Sequence, residues 1–227
     1  MAKKKALIIA PHPDDETLGA GGTIKRLVDA GWEVTVVTVA AHMPPLYTKE
    51  IHETTVLESK AAQHVLGVGE SVFLDQPAVF LGDIPVHEFN GMILKEISRV
   101  EPAILLIPFP DRHIDHRQIF DAAMVAARPV GVGKKISLVA AYETISETHW
   151  NAPHIEPNFT PNFCVDITAQ IDSKLEAIAC FKSQLHGFPG PRSVEALKAL
   201  ALFRGSQAGY AYGEAFHVIR MGAELFL

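Results

Sequence analysis

Cysteine is scarce in this sequence, with only Cys164 and Cys180 among 227 residues. Two cysteines build no disulfide framework and do not match the paired spacing of zinc fingers, so a disulfide-stapled secreted scaffold is excluded and a reducing compartment is expected. Positive charge is also in short supply. The formal net charge of -6 offers no basic surface for nucleic acid, and we expect no such partner.

Long apolar runs are missing as well. The apolar run at 6–10 is too short for a signal peptide, and no other stretch is long enough to span a bilayer. The length and the 48% share of apolar residues are ordinary for one globular domain with a substantial core. We therefore expect a single domain over residues 1–227, soluble and cytoplasmic, and leave assembly as a homo-oligomer open.

Short β-rich runs alternate with longer helical patterns. The predicted strands are 6–10, 33–39, 72–74, 103–107, 136–141 and 163–167. The predicted helices are 16–30, 49–66, 86–100, 114–127, 169–185 and 193–204. Runs of Val and Ile without polar alternation are typical of parallel strands that are covered on both faces. The pattern predicts an α/β fold: a Rossmann-like, doubly wound, mainly parallel sheet with helices on both faces.

Two segments between these elements are predicted to be long loops. They span 40–49 and 144–162 and carry prolines and several histidines. Long loops in a compact domain are often functional, and "HWNAPHIEPNFTPN" at 149–162 is the expected rim of a pocket. The glycines of "GAGG" at 19–22 lack dinucleotide-binding spacing and lie inside a predicted helix, which favours close helix–sheet packing.

Two polar clusters follow predicted strands: "PHPDDE" at 11–16 and "PDRHIDH" at 110–116. Taken alone, the first is also a good capped helix start, and the second is also a helix entry with exposed histidines. A parallel sheet, however, brings the carboxyl ends of its strands to one edge, where ligands bind. The two clusters are therefore expected to form one site.

The residue types in these clusters suit a metal site. His12, Asp15 and His116 offer two imidazoles and a carboxylate, a set used by catalytic zinc sites that keep one position for water. Iron(II) suits such a set as well. Adjacent carboxylates make sense when their tasks differ, and Asp14 is then free to take a proton from that water.

Five of the other histidines fall into two groups. His113 lies three residues before His116, where it can stabilise an oxyanion or protonate a leaving amine, and Asp115 can fix the tautomer of an imidazole. Four histidines lack partners at ligand spacing and are interpreted as structural or exposed. They are His42, His52, His64 and His87.

The two motifs resemble those of the LmbE/PIG-L-like zinc-dependent N-deacetylases. The family includes the N-acetylglucosaminyl deacetylases of the mycothiol and bacillithiol pathways and the deacetylase of glycosylphosphatidylinositol precursors. The signature (A/P)HPDDE stands at 11–16, and HxDH stands at 113–116. Weaker similarities extend over essentially the whole chain, at 58–68, 142–143, 182–184, 204–205 and 213–216.

The resemblance implies zinc-assisted hydrolysis of an acetamido group, with His12, Asp15 and His116 as ligands and Asp14 as general base. Glu16 has no firm role beyond support of the site.

The remaining roles that the resemblance implies concern the tetrahedral intermediate and the substrate. His113 would stabilise the intermediate, paired with Asp115. Arg112 would contact a sugar or an acidic part of the substrate. Tyr142 would be a further oxyanion donor, with a core tyrosine as the equally open alternative.

The substrate is less defined than the reaction. Thiol-pathway members carry a substrate-binding arginine after the second strand, whereas this chain has no arginine between Arg26 and Arg99. The expected substrate is therefore a small-molecule acetamido sugar of the N-acetylglucosamine type or its conjugate, with the exact sugar left open and neither the malate nor the inositol specificity carried over. The alternatives are a zinc amidohydrolase for non-sugar N-acyl compounds and a non-catalytic binding protein, which the intact Asp14 disfavours.

Overall fold

Residues 4–152 and 154–223, which the computed structural model describes, form seven strands and six α-helices. The strands are β1 (Lys5–Ala10), β2 (Glu33–Ala41), β3 (Glu70–Pro77), β4 (Ile104–Pro108), β5 (Leu138–Tyr142), β6 (Phe163–Asp166) and β7 (Gly213–Met221). The helices are α1 (Asp15–Asp29), α2 (Lys49–Leu66), α3 (Val86–Val100), α4 (Ile114–Ala126), α5 (Ile171–Ala179) and α6 (Val194–Ser206). None of these described helices combines the length and the apolar character that crossing a membrane requires.

All seven strands belong to one sheet, in the order β3-β2-β1-β4-β5-β7-β6. The pairs from β3 through β5 are parallel, and β7 is antiparallel to both β5 and β6. The predicted doubly wound, mainly parallel fold is confirmed. Because β1 pairs directly with β4, the segments that follow these two strands start side by side.

Apolar side chains cover the sheet on both faces. Leu7 of β1 belongs to a cluster with Ile93 of α3 and Ile119 of α4. Its neighbour Ile8 points to the opposite face, where it belongs to a cluster with Ile24 of α1. Alternation along a strand sends successive side chains to opposite faces, so an unbroken apolar run is what a doubly covered strand requires.

The structure differs from the predicted elements near the carboxyl end. Strand β7 was not predicted, because its sequence GEAFHVIRM interrupts the apolar pattern with Glu214, His217 and Arg220. Helix α5 ends at Ala179 rather than at the predicted 185, since the following residues form turns. The backbone N–H groups of these turns donate to the carbonyls of Ile178 and Phe181. The predicted rim at 149–162 is described except for residue 153, which lies outside the described residues.

The glycines of α1 let the helix approach its neighbours closely. A Cβ atom added at Gly19 would lie 2.3 Å from Cδ2 of Tyr142, and one at Gly22 would lie 2.8 Å from Cβ of Ile167. These distances are far shorter than the ~3.5–4.0 Å of an ordinary carbon contact. The packing interpretation of "GAGG" is confirmed.

A buried ion pair ties α1 to the far end of the chain. Lys174 of α5 and Glu214 of β7 are each only 4% exposed and form a salt bridge. Lys174 Nζ donates to the carbonyl of Leu18 at 2.8 Å, and the carboxylate of Glu214 accepts the backbone N–H groups of Gly22 and Thr23 at 2.8 and 2.7 Å. The pair thus fixes α1, which begins with Asp15, against β7.

Candidate metal and catalytic site

The two polar clusters lie against each other at the carboxyl edge of the sheet. The first follows β1, and the second lies between β4 and α4. The ring centroids of His12 and His113 are 4.6 Å apart, and those of His12 and His116 are 5.6 Å apart. The predicted convergence of segments about one hundred residues apart is therefore observed.

Asp15 lies between two imidazoles. Its Oδ2 is 3.1 Å from Nδ1 of His12 and 3.4 Å from Nε2 of His116. All three side chains are almost fully buried. Nε2 of His116 makes no hydrogen bond within residues 4–152 and 154–223. A buried nitrogen without a partner, facing a carboxylate, is the arrangement that a metal ion would satisfy.

Each of these imidazoles is oriented by a second carboxylate. His12 Nε2 lies 2.9 Å from Oδ2 of Asp115, and His116 Nδ1 lies 3.1 Å from Oδ2 of Asp111. If a metal ion displaced the proton on the side of Asp15, each ring could keep its other proton on the nitrogen that faces the second carboxylate. Metal-binding histidines are usually held in this way.

The electrostatic environment of the site favours positive charge on both rings. Burial by itself lowers the pKa of His12, but its hydrogen bonds to Asp115 and Asp15 outweigh burial and raise that pKa to about 9. Burial is likewise outweighed at His116, where Asp15 and Asp111 raise the pKa to about 10. Carboxylates that stabilise a buried imidazolium would also stabilise a divalent cation at this point.

His113 also contributes a ring nitrogen near the others. Those of His12, His113 and His116 all lie within 4.8 Å of one another, so a set of three imidazoles is a second possible ligand group. His113, however, caps α4, and its Nδ1 accepts the backbone N–H of Asp115 at 3.2 Å. Burial lowers its pKa to about 4, which leaves a neutral ring with a proton on Nε2.

The partners of the Asp115 carboxylate differ from the one expected. The resemblance implied a pairing of Asp115 with His113, but the Asp115 carboxylate instead contacts His12 and accepts the backbone N–H of Val79 at 2.8 Å. The reason is that Nδ1 of His113 is already engaged by the main chain of α4.

Asp14 is held in a constrained position beside this cluster. It is 2% exposed, and its φ of 118° lies in a region that residues with a side chain rarely adopt. Such backbone strain costs ~1–3 kcal/mol and is concentrated at functional sites. Burial raises the pKa of the Asp14 carboxyl to about 7, although Arg192, whose Nη1 donates to Oδ2 at 2.9 Å, opposes that rise.

Glu16 supports the backbone of Asp14 through its side chain. Its Oε2 accepts the backbone N–H of Asp14 at 3.3 Å, and its Oε1 accepts the side-chain amide of Gln63 at 3.0 Å. The side chain is fully buried, and burial raises its pKa to about 7. The expected supporting role of Glu16 thus has a specific form, a contact with the strained peptide of Asp14.

A family model places the chain among known proteins. The model for PIG-L, described as GlcNAc-PI de-N-acetylase, matches residues 7–127, which contain both polar clusters and more than half of the chain. The chain belongs to the PIG-L family. The resemblance inferred from the two motifs is confirmed.

Relatives of this PIG-L protein match most of its length. Diacetylchitobiose deacetylase from Thermococcus kodakarensis is 28% identical, over 95% of this chain and 83% of that protein. The structure of N,N'-diacetylchitobiose deacetylase from Pyrococcus horikoshii, with an inhibitor, is 26% identical with a TM-score of 0.75, over 99% of this chain and 86% of that one. A conserved protein from Thermus thermophilus is 29% identical with a TM-score of 0.76, over 93% of each chain.

Two residues suggested for substrate contact have other partners in this PIG-L chain. Tyr142 is fully buried, and its hydroxyl donates to the carbonyl of Ile9 at 2.9 Å, which favours the core role over the oxyanion role. Arg112 lies at the surface and pairs with Glu147 at 3.0 Å. It remains at the outer side of the site, beside the loop at 144–162.

His42, interpreted from the sequence as structural or exposed, lies half-buried beside the candidate site. Its ring stacks on His12 with centroids 5.8 Å apart and contacts Tyr47 at 4.8 Å. His42 and Tyr47 line a cavity of about 420 Å³ together with the start of α2 and with Ser183 and Gln184. His42 follows β2 directly, so its position after a strand was the signal that ligand spacing alone did not reveal.

Two further residues of the site were not singled out from the sequence. Asp111 orients His116 and also accepts the hydroxyl of Thr148 at 2.8 Å, which ties the loop at 144–162 to the site. Asp111 stands in the second polar cluster, at 110–116, where its place after a strand end was a usable signal. Arg192 had no comparable signal, because it reaches Asp14 from 178 residues further along the chain.

Proposed function

We propose that this chain is a metal-dependent N-deacetylase for an N-acetylglucosamine-type sugar or its conjugate, with zinc as the metal and iron(II) as the other candidate. The observation that carries the proposal is the convergence of His12, Asp15 and His116 in a PIG-L chain. The names of the diacetylchitobiose deacetylases among its relatives support the substrate class.

We assign the metal to Nδ1 of His12, a carboxylate oxygen of Asp15 and Nε2 of His116. The other ring nitrogen of His12 is already held by Asp115, and that of His116 is held by Asp111. His113 has no such carboxylate partner among the described residues. When bound, the ion supplies Lewis-acid chemistry, lowering the pKa of a water molecule and polarising the amide carbonyl.

Asp14 is the proposed general base. Its carboxyl is buried next to the proposed ligand Asp15, and burial raises its pKa towards the range where a base is effective both in accepting and in returning a proton. Arg192 engages Oδ2 of Asp14, which leaves the other carboxylate oxygen to take a proton from the attacking water. The same group can then return that proton to the departing amine.

His113 is the proposed oxyanion donor. Because its Nδ1 accepts a backbone N–H, the ring presents the Nε2 proton to the carbonyl oxygen as that oxygen gains negative charge. With a pKa lowered to about 4, His113 acts as a neutral donor and not as an imidazolium. Arg112 is retained as a contact for the outer part of the substrate.

The test combines metal analysis with acetate release. The purified protein is loaded with zinc or iron(II) and offered N-acetylglucosamine, diacetylchitobiose and simple N-acyl amines. We expect bound metal and acetate release from the acetamido sugars. Acetate release from the simple amines alone would instead identify an amidohydrolase without sugar specificity, and failure to bind either metal would refute the mechanism.

Two variants separate the assigned roles. Asp14→Ala should keep the metal and lose turnover, whereas His116→Ala should lose the metal. Turnover that survives in metal-loaded Asp14→Ala would show that another group is the base.

A further inference from the structure

Arg192 lies outside both sequence motifs and touches the centre of the site. It immediately precedes Ser193, the N-cap residue of α6, and its side chain is only 22% exposed. Its Nη1 donates to Oδ2 of Asp14 at 2.9 Å and to Oε1 of Gln184 at 3.0 Å, while its Nε donates to Oγ of Ser146 at 3.0 Å. Three contacts from three segments thus fix the plane of the guanidinium.

We propose that Arg192 is a positioning residue that sets the orientation of the Asp14 carboxylate. This inference rests on the proposed role of Asp14 as the base. Among the described residues, Arg192 is the one group that donates a hydrogen bond to the Asp14 side chain, because Asp14 stands at the N-cap of α1 without making a side-chain cap.

The surroundings of Asp14 make such a partner necessary. Asp15 and Glu16 are the next two residues in the chain, and both are buried carboxyl groups whose negative charge would repel an ionised Asp14. Without Arg192, this repulsion would turn the Asp14 carboxylate away from the cluster. The guanidinium offsets the repulsion through its hydrogen bond to Oδ2 and leaves Oδ1 unengaged by Arg192.

The geometry also requires arginine in particular. A guanidinium offers donors in a fixed planar fork, whereas a lysine ammonium is a compact charge on a flexible stem. Ser146 and Gln184 aim that fork at Asp14, and Gln184 also lines the 420 Å³ cavity. Arg192 therefore connects the proposed base to a residue that lines this cavity.

The experiment measures kcat and KM of the metal-loaded protein with the acetamido sugar that the wild type hydrolyses. For Arg192→Ala we expect kcat to fall by about 10²-fold, the effect of misplacing a catalytic group by about 1 Å. KM and metal content should stay near wild type, because no metal ligand contacts the guanidinium. The kcat of Arg192→Lys should lie between those of the wild type and Arg192→Ala. Added guanidinium ion should restore part of the kcat of Arg192→Ala.

The matched control is Arg99→Ala. Arg99 pairs with Glu70 and Glu96 at 2.8 and 2.9 Å at the surface, so its loss removes comparable ion pairs away from the site. Its kcat should equal that of the wild type. If Arg192→Ala does not fold, the kcat of Arg192→Lys decides the question.

The outcomes distinguish this inference from the proposed function. A wild-type protein that binds metal but hydrolyses no acetamido sugar overturns both. An active wild type with unchanged kcat in the folded Arg192 variants, or with a change in KM alone, overturns only the positioning role.

Discussion

Gly19 and Gly21 stand two residues apart in α1, and replacing each by alanine should change stability in opposite directions. Alanine is the better helix former by ~1 kcal/mol, so a substitution without steric conflict should stabilise the protein. At Gly21 the added Cβ would lie 3.4 Å from side-chain atoms of Lys174 and Thr17, which is ordinary contact. We expect Gly21→Ala to raise the free energy of unfolding by up to ~1 kcal/mol.

At Gly19 the same methyl group meets fixed neighbours. It would lie 2.3 Å from Cδ2 of Tyr142 and 2.6 Å from the backbone oxygen of Glu143. The ring of Tyr142 is fully buried and its hydroxyl is held by Ile9, so it has little freedom to move. Overpacking of this kind costs ~1–3 kcal/mol, and with two fixed neighbours we take the upper end. After the gain in helix propensity, a net loss of ~2 kcal/mol remains.

Thermal unfolding followed by circular dichroism measures the Tm of both variants under identical conditions, and urea unfolding measures their free energies of unfolding. For a chain of this length each kcal/mol moves Tm by ~2–4 °C, so Gly19→Ala should melt ~4–8 °C lower and Gly21→Ala ~2–4 °C higher. Gly21→Ala is the matched control for the chemistry of the change. Equal shifts for both variants, or a Gly19→Ala protein as stable as the wild type, would contradict the close packing of α1.

Three further substitutions test other contacts. Asp111→Asn, which weakens the carboxylate partner of His116, should reduce metal affinity ~10–100-fold in a competition assay with a chelator; unchanged affinity would count against that orientation. Lys174→Met should destabilise the fold by ~3–5 kcal/mol in urea, because it leaves Glu214 buried without its cation, and Lys174→Met with Glu214→Gln should recover part of that loss. Tyr142→Phe should lower stability by ~1 kcal/mol and preserve kcat; a kcat loss of ~10²–10³-fold would restore the oxyanion role.

Local signals explain why much of the fold was predictable. Helix α2 spans the predicted 49–66, because Thr48 caps its start and Gly67, with φ of 78°, ends it. Helix α3 also has its predicted bounds, 86–100. The strand ends at 10 and 108 carry their polar clusters next to them in sequence, so the place of the proposed metal site followed from the parallel sheet.

The parts that were not predicted depend on contacts between distant segments. Strand β7 pairs with β5 and β6, and this pairing, not a local apolar pattern, makes it a strand. The contact of Arg192 with Asp14 likewise joins residues 178 positions apart and forms only when the chain folds. The reducing compartment, the assembly state and the single domain over 1–227 stay predictions.

The ion pair of Lys174 and Glu214 determines when helix α1 can become anchored during synthesis of the chain. The proposed metal ligands all lie within the first 116 residues, and a chain grows from its amino end. Strand β7 is the last of the described strands to be synthesised, yet it lies in the sheet between β5 and β6. It also supplies Glu214, whose carboxylate accepts a backbone N–H of α1. The ligands therefore leave the ribosome early, and the helix that begins with Asp15 is anchored only when the last strand has arrived.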